Sequence, residues 1–327
     1  MPEIGSENSL NDPAVLAALL TKMDELKEEM VGIRSALRSL KTIRQRLTDI
    51  EQIVIGPRAV PMGDGLILAK LKFDDLLMIV EERDRLLGPR LIMNGIYEKG
   101  LTAYFRSIAS EIGTFVDVGA NIGYYTVLFG KHLRRRGRIF AFEPDPTNFG
   151  LLQRNAQVNW IDKPNIVLER LAVSAEPGSA ILHRNPEKPA NNSFLPPTDQ
   201  ERAFNVFESY EVQTTSLDEY FRDKSSGIDL IKIDVEGHEL AALKGARITI
   251  EANPHLQLVF EWDPPRWARC RVTSDDLLAF LDEMNLSPAL ISSRGQVVPV
   301  SKDELANLNY GNLVCRRKGA KLGSGDG

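Results

Sequence analysis

The chain is poor in the residue types that build disulfide frameworks and metal sites. Among 327 residues there are two cysteines, Cys270 and Cys315, and four histidines, and neither cysteine has a second Cys or a His at ligand spacing. A disulfide scaffold and a structural zinc site are therefore not expected, and a reducing compartment is. Excess positive charge is also missing. Forty Lys and Arg against 45 Asp and Glu give a formal net charge of −5, which argues against a nucleic-acid surface as the main partner. No apolar run reaches the ~18 residues of a transmembrane segment. The opening MPEIGSENSL lacks a basic-then-apolar signal layout, so a cytoplasmic location is the expectation. What is present, 43% apolar and 26% charged residues, is the composition of a soluble globular chain.

The first third carries a helical pattern. Apolar residues fall at Leu16, Leu19, Met23, Leu26, Met30, Ile33, Leu37 and Leu40 in alternating steps of three and four, a narrow seam on one helix face. Ile43, Leu47, Ile50 and Val54 continue it after two threes in succession, a stammer that overwinds a supercoil locally. Asn11, Asp12 and Pro13 supply start signals, and Gly56-Pro57-Arg58 supplies a break. A seam this narrow needs another helix, so residues 14–55 are expected to form a coiled coil between copies of the chain. The alternative is a helix folded back on its own globular part. The next segment, 66–112, reads as further helices, and residues 58–112 as a helical connector or cap.

After Gly113 short apolar runs alternate with helical patterns: strands near 114–118, 138–142, 165–170, 229–235 and 256–260, with helices between and after them. That order predicts right-handed crossovers and a doubly wound, Rossmann-like parallel sheet across 113–318, followed by a short tail at 319–327. Such sheets bind ligands at the carboxyl ends of their strands. There the sequence places Asp117, Glu143, Asp234 and Glu261 in succession.

The first of these turns, in FVDVGANIGYYT, has Gly119 and Gly123 but not the G-x-G-x-x-G of a dinucleotide site. Asn121 stands where a glycine could, no basic residue lies in the turn, and Asp117 adjoins it. Asn tolerates a left-handed backbone. A turn beside a carboxylate repels a pyrophosphate and suits a cation. Glu143, at the end of the next strand, is where this fold puts the acid that accepts hydrogen bonds from ribose hydroxyls. A ribose, no phosphate and an ammonium group together point to S-adenosylmethionine rather than NAD.

The stretches FVDVGANIGYYT, FAFEPDPTNFGLLQRN, SLDEYF and DLIKIDVEGHELAALKGA, in this order from about Tyr97 to Arg317, resemble an FkbM-type S-adenosylmethionine-dependent methyltransferase. The closing NLVCRRK is similar to the last antiparallel strand of that class I fold. The N-terminal arm lies outside the resemblance. The resemblance implies methyl transfer, usually to oxygen, on sugars of glycans or glycolipids or on secondary-metabolite hydroxyls. It implies a methionyl end near Asp117, Gly119, Asn121 and Gly123, a ribose on Glu143, and adenine against Asp145 and the Leu171-Ala172 segment. Tyr97-Glu98 matches the family's aromatic–glutamate pair.

A sugar hydroxyl is a weak acid and gains from a base during attack. His238 or Asp234 is the candidate base, with Glu236 and Glu261 orienting the acceptor, and Lys232 reads as an ion-pair partner. Asp234, Glu236 and Glu261 are also compatible with a Mg²⁺ site, which their spacing does not require. The segment 185–205, rich in Pro and Asn, is a candidate lid, with Asn191, Asn192 and Ser193 suited to sugar hydroxyls. Three other readings stand beside saccharide O-methylation: N-methylation of a small molecule, a coiled-coil interaction protein with a methyltransferase-like scaffold, and a dehydrogenase on the same sheet.

Overall fold

The computed structural model describes residues 13–54, 59–133, 137–161, 163–223 and 227–319. It falls into two compact units, 1–56 and 57–327. The first is a single helix, Pro13–Val54. On it Met23, Leu26, Met30, Ile33, Leu37, Leu40 and Ile43 are each 50–61% exposed. The side chains of Leu16, Leu19, Leu47, Ile50 and Val54 lie outside the described residues, as do Asn11, Asp12, the Gly56-Pro57-Arg58 break and residues 320–327 of the expected tail.

The second unit opens differently from the sequence expectation. Residues 59–81 form no helix but an antiparallel meander of β1 (Ala59–Gly63), β2 (Leu66–Lys70) and β3 (Leu77–Glu81). Leu66 pairs with Glu81 and Lys70 with Leu77. Two turns decide the matter. Gly63, Asp64 and Gly65 take φ of 86, 52 and 69°, and Asp74 and Asp75 take 57 and 52°, left-handed values that end a helix within a residue. Helices follow only at Leu87–Asn94 and Lys99–Ile108.

The edge strand β3 is closed by two asparagines of the helix Pro146–Val158 and its C-cap. Asn155 Oδ1 accepts from Ile79 N at 2.6 Å and its Nδ2 donates to Ile79 O at 3.1 Å. Asn159 repeats this pairing on Leu77 at 2.9 and 2.7 Å. The amide side chains so stand in for a neighbouring strand and leave no unpaired edge there.

The main sheet contains β4 (Thr114–Val118), β5 (Arg138–Phe142) and β6 (Ile166–Glu169). A small sheet then interrupts it: β7 (Ala172–Val173), β8 (Gly178–Arg184) and β9 (Glu208–Thr215). The main sheet resumes with β10 (Leu230–Ile233), β11 (Gln257–Trp262), β12 (Leu286–Ile291), β13 (Val297–Pro299) and β14 (Gly311–Arg317). Its order is β13-β12-β14-β11-β10-β4-β5-β6. The five strands from β11 to β6 are parallel, and β14 runs antiparallel between β11 and β12. This is the doubly wound class I arrangement. Chain order reverses between β4 and β10, so the crevice at their carboxyl ends is the natural ligand site. No helix among the described residues is long and apolar enough to cross a membrane.

Candidate active site

The glycine turn after β4 is shaped by its neighbours. Gly119, Asn121 and Gly123 have φ of 74, 51 and 89°. A Cβ on Gly119 would lie 1.8 Å from the carbonyl oxygen of Asp234, and one on Gly123 2.5 Å from Leu152 Cδ1. Glycine is thus required at Gly119 for φ and for space, and favoured at Gly123 for φ. Gly119 N and Ala120 N both donate to Phe142 O, at 3.0 and 2.9 Å, which ties the turn to the end of β5. Asn155 Nδ2 also donates to Ile122 O at 2.8 Å, so the asparagine that closes β3 steadies the turn as well.

Glu143 stands on the next strand end with its carboxyl held at both oxygens. Oε2 accepts from Asn121 N at 2.8 Å and Oε1 from Asp145 N at 2.9 Å. Burial, then the charge of Asp145, pushes its pKa up to about 8. Each oxygen keeps a second lone pair. The turn and Glu143 line a pocket of about 880 Å³, open mouth included, whose walls also include Tyr97, Leu171, Ala172, Asp234 and Glu236. Lys232 is the only cation among the described lining residues. Its ammonium lies 3.3 Å from Asp234 Oδ2, 3.5 Å from Asp117 Oδ1 and 3.3 Å from Gly119 O. Burial opposes that charge, but Asp234 and Asp117 outweigh it and hold the lysine well above its usual range. It is an ion-pair partner, as its mid-strand position leads one to expect.

The residues singled out from sequence separate here. Gly119, Asn121, Glu143, Ala172, Asp234 and Glu236 line the pocket, and Gly123 shapes the turn from behind. Asp117 does not line it. It is fully buried behind the turn, accepting from Thr126 Oγ1 at 2.7 Å, and burial raises its pKa. Nor does Asp145, whose oxygens are taken up by Asn148 N at 2.7 Å, Arg184 Nε at 3.1 Å, Asn192 Nδ2 at 3.3 Å and the Tyr210 hydroxyl. It caps the helix and anchors the small sheet. His238 is turned to Ser174 Oγ at 3.0 Å and to the Phe194 ring, with burial lowering its pKa.

Glu261 lies inside β11 and bonds the Tyr310 hydroxyl, its pKa raised to about 9 by burial and by the charge of Asp234. Glu98, bonded to Tyr125 and Asn312, is raised for the same two reasons. Glu236, in a left-handed backbone at φ 56°, pairs with Arg266. Among the described residues no three His, Cys, Asp or Glu side chains stand close enough together to hold a metal ion.

Two organising residues were not among the site residues named from the sequence, although Glu239 stands within the quoted DLIKIDVEGHELAALKGA. Glu239 folds the turn after β10: Oε1 accepts from Val235 N at 3.1 Å and Gly237 N at 3.2 Å, and Oε2 from Trp267 Nε1 at 2.8 Å. Arg184, 2% exposed, joins the small sheet to the meander and to the helix cap after β5 by reaching Glu208 at 3.1 Å, Glu81 at 3.4 Å and Asp145. A buried charge held by so many partners is costly to strip of any one of them.

Residues 117–287 match the model of the methyltransferase FkbM domain. The chain is similar to methyltransferase sdnD of Sordaria araneosa, 31% identical over 176 residues, 46% of this chain and 67% of that one. It is also similar to hexuronic acid methyltransferase AglP of Haloferax volcanii, 30% identical over 139 residues, 42% of this chain and 51% of that one. The matches thus span about half to two thirds of these relatives. Among solved structures, the FkbM methyltransferase of Methylobacillus flagellatus aligns at 18% identity and a TM-score of 0.39, over 63% of this chain and 43% of that chain.

Proposed function

The chain belongs to the FkbM methyltransferase family, and from that premise we propose that it transfers the methyl group of S-adenosylmethionine to a hydroxyl of a saccharide. The observation that carries the reading is the pairing of Glu143 and the glycine turn on one pocket with Asp234. The residues fit the cofactor. Glu143 offers its free lone pairs to a ribose diol, Ala172 and Leu171 offer an apolar wall to a base, and the only cation of the described lining is already neutralised, which leaves a pyrophosphate without a partner. That last point weighs against a dehydrogenase.

When bound, S-adenosylmethionine supplies an electrophilic sulfonium methyl. Asp234 then takes the proton of the acceptor hydroxyl as its oxygen attacks, while Lys232 holds Asp234 at the pocket floor. Glu261, bonded to the Tyr310 hydroxyl and within reach of the Asp234 charge, lines neither this pocket nor its neighbour, so its part is in supporting the strand end rather than in touching the acceptor. The saccharide acceptor draws support from the similarity to a hexuronic acid methyltransferase. Incubation with labelled S-adenosylmethionine and a panel of glycosides tests the reading. Failure to bind S-adenosylhomocysteine, or tight binding of NADH instead, overturns it.

Glu143 makes the cofactor site pH-sensitive. Its ionised form accepts both ribose hydroxyls, but with a pKa of about 8 it is mostly protonated at neutral pH. Binding therefore releases a proton. Affinity for S-adenosylhomocysteine is expected to rise roughly tenfold per unit between about pH 6 and 8, then flatten. In Glu143→Gln the slope should vanish and affinity at pH 8.5 fall about 30-fold, on the order of 2 kcal/mol. Calorimetry across pH reads both. An unchanged slope in the variant removes Glu143 from the ribose.

The helix Pro13–Val54, with its exposed stripe, is the part we assign to self-association. Wild-type protein should sediment as an oligomer, and Leu26→Glu with Ile33→Glu as a monomer with unchanged cofactor affinity. Apolar burial at such seam positions contributes ~1.5–3 kcal/mol per side chain, so two charges suffice. A monomeric wild type at micromolar concentration discards the assignment.

A further inference from the structure

Beside the pocket just described lies a second hollow of about 750 Å³. The two share Ser193 and Glu236, and from Ala190 to Leu195 the residues on either side of Ser193 line one and the other in turn. Asn192 and Phe194 line the first, whereas Asn191, Leu195 and Pro197 line the second. The segment expected as a lid is a partition. It is pinned where Ser193 Oγ donates to Glu236 O at 2.7 Å, against a residue in an unfavourable left-handed backbone. Non-glycine residues held in that region cluster at working sites.

The chemistry of the second hollow is specific about charge. Arg266 is held by Glu236 and by Asp263 at 3.1 Å, and Arg269 by Glu201 at 3.2 Å and Pro196 O at 3.0 Å. Two guanidinium groups therefore face three carboxylates, with His183 beside them held toward its neutral form by burial, and a negatively charged ligand would have to displace a partner and meet the remaining anions. Paired in this way, guanidinium and carboxylate groups still keep N–H donors and lone pairs that suit neutral hydroxyls. Phe207, with Pro197 and Pro265, offers flat apolar surface to the C–H face of a ring. Next in the chain to Phe207, Val206 is 76% exposed, and Phe204 is 82% exposed at the end of the helix that carries Glu201. Neither lines the hollow itself, but as apolar side chains left exposed among the described residues they extend the apolar surface of Phe207 outward, toward where a non-sugar substituent would project.

We propose that this second hollow is the acceptor subsite and that it takes an uncharged sugar ring bearing an apolar aglycone. The reacting hydroxyl enters at the edge shared by Ser193 and Glu236, residues that line the first pocket together with Asp234. There its oxygen bonds to the methyl carbon, the carbon–sulfur bond breaks, and the proton passes to Asp234. The inference rests on the methyl-transfer reading above and deepens it. It also sets this chain apart from a relative whose name specifies a hexuronic acid.

The test uses the full chain, labelled S-adenosylmethionine, and the 4-nitrophenyl β-glycosides of glucose, galactose and glucuronic acid. S-Adenosylhomocysteine calorimetry runs in parallel. A neutral glycoside should accept label with kcat/KM at least tenfold above the glucuronide. Phe207→Ala should raise its KM about tenfold, Arg269→Gln should do so independently, and both should leave S-adenosylhomocysteine affinity within twofold. Equal or better use of the glucuronide overturns the inference, as does an unchanged KM in both variants. So does failure of every glycoside to accept label while S-adenosylhomocysteine binds. Absence of S-adenosylhomocysteine binding instead overturns the methyl-transfer reading itself.

Discussion

Asp234→Asn is expected to lower kcat about a thousandfold while leaving S-adenosylhomocysteine affinity within about threefold, because a positioned base contributes ~10²–10⁴ to such a step. A thousandfold is roughly 4 kcal/mol of transition-state stabilisation. Asp234 is the acid that both lines the pocket and touches the buried ammonium of Lys232. Asparagine keeps its shape and can bond the same neighbours, but it cannot take a proton. The contrast is His238→Gln. His238 is occupied by Ser174 and Phe194 and does not line the pocket, so its loss should cost less than about fivefold. Single-turnover measurements at saturating cofactor separate the two. Asp234→Asn retaining a tenth of the rate, or His238→Gln losing a hundredfold, would reverse the assignment of the base.

Gly119→Ala should be the most damaging methyl group added at any of the described glycines. Its Cβ would lie 1.8 Å from Asp234 O and 2.9 Å from the carbonyl carbon, both backbone atoms. Neither side can yield. Asp234 N bonds Val118 O at 3.1 Å, Gly119 N bonds Phe142 O at 3.0 Å, and Lys232 Nζ reaches Gly119 O at 3.3 Å. The left-handed φ of 74° adds a cost of about 1–2 kcal/mol to any residue with a Cβ. Together these should exceed about 4 kcal/mol, a large share of the ~5–15 kcal/mol that holds a domain folded. The variant should melt at least ~10 °C lower, with cofactor affinity down a thousandfold or more. Gly150→Ala is the matched control. It lies in the helix Pro146–Val158 with nothing within 4 Å of the added methyl, and should be neutral or stabilising by up to ~1 kcal/mol. A Gly119→Ala protein that melts normally and binds S-adenosylhomocysteine would show that the turn can open.

Much of the sheet was legible in the sequence because parallel strands buried on both faces leave continuous apolar runs. TFVDV and RIFAF are such runs, and helix patterns separate them. The meander β1–β3 was not. Its strands are five residues long, and LILAK and LMIVE read as well on a helical as on an extended period. The informative letters were Gly63-Asp64-Gly65 and Asp74-Asp75, whose left-handed backbones set both turns. Within the site the strand-end rule located Glu143 and Asp234 at the pocket but could not orient the rest. Asp117 obeys the same rule and Asp145 was implied by the family resemblance, yet one faces Thr126 and Lys232 and the other caps a helix and grips Arg184.

The sequence alone determined the doubly wound order, the left-handed glycine turn and the strand ends where acids gather, because period and backbone permission are local properties of a chain. Which of those acids faces the pocket was decided only by tertiary structure. Orientation there depends largely on partners far along the chain: Arg184 for Asp145, Lys232 for Asp117, Arg266 for Glu236. The partition at 189–197 and the hollow behind it belong to the same class. They exist because the small sheet folds that segment against the end of β10, a meeting that no local pattern encodes.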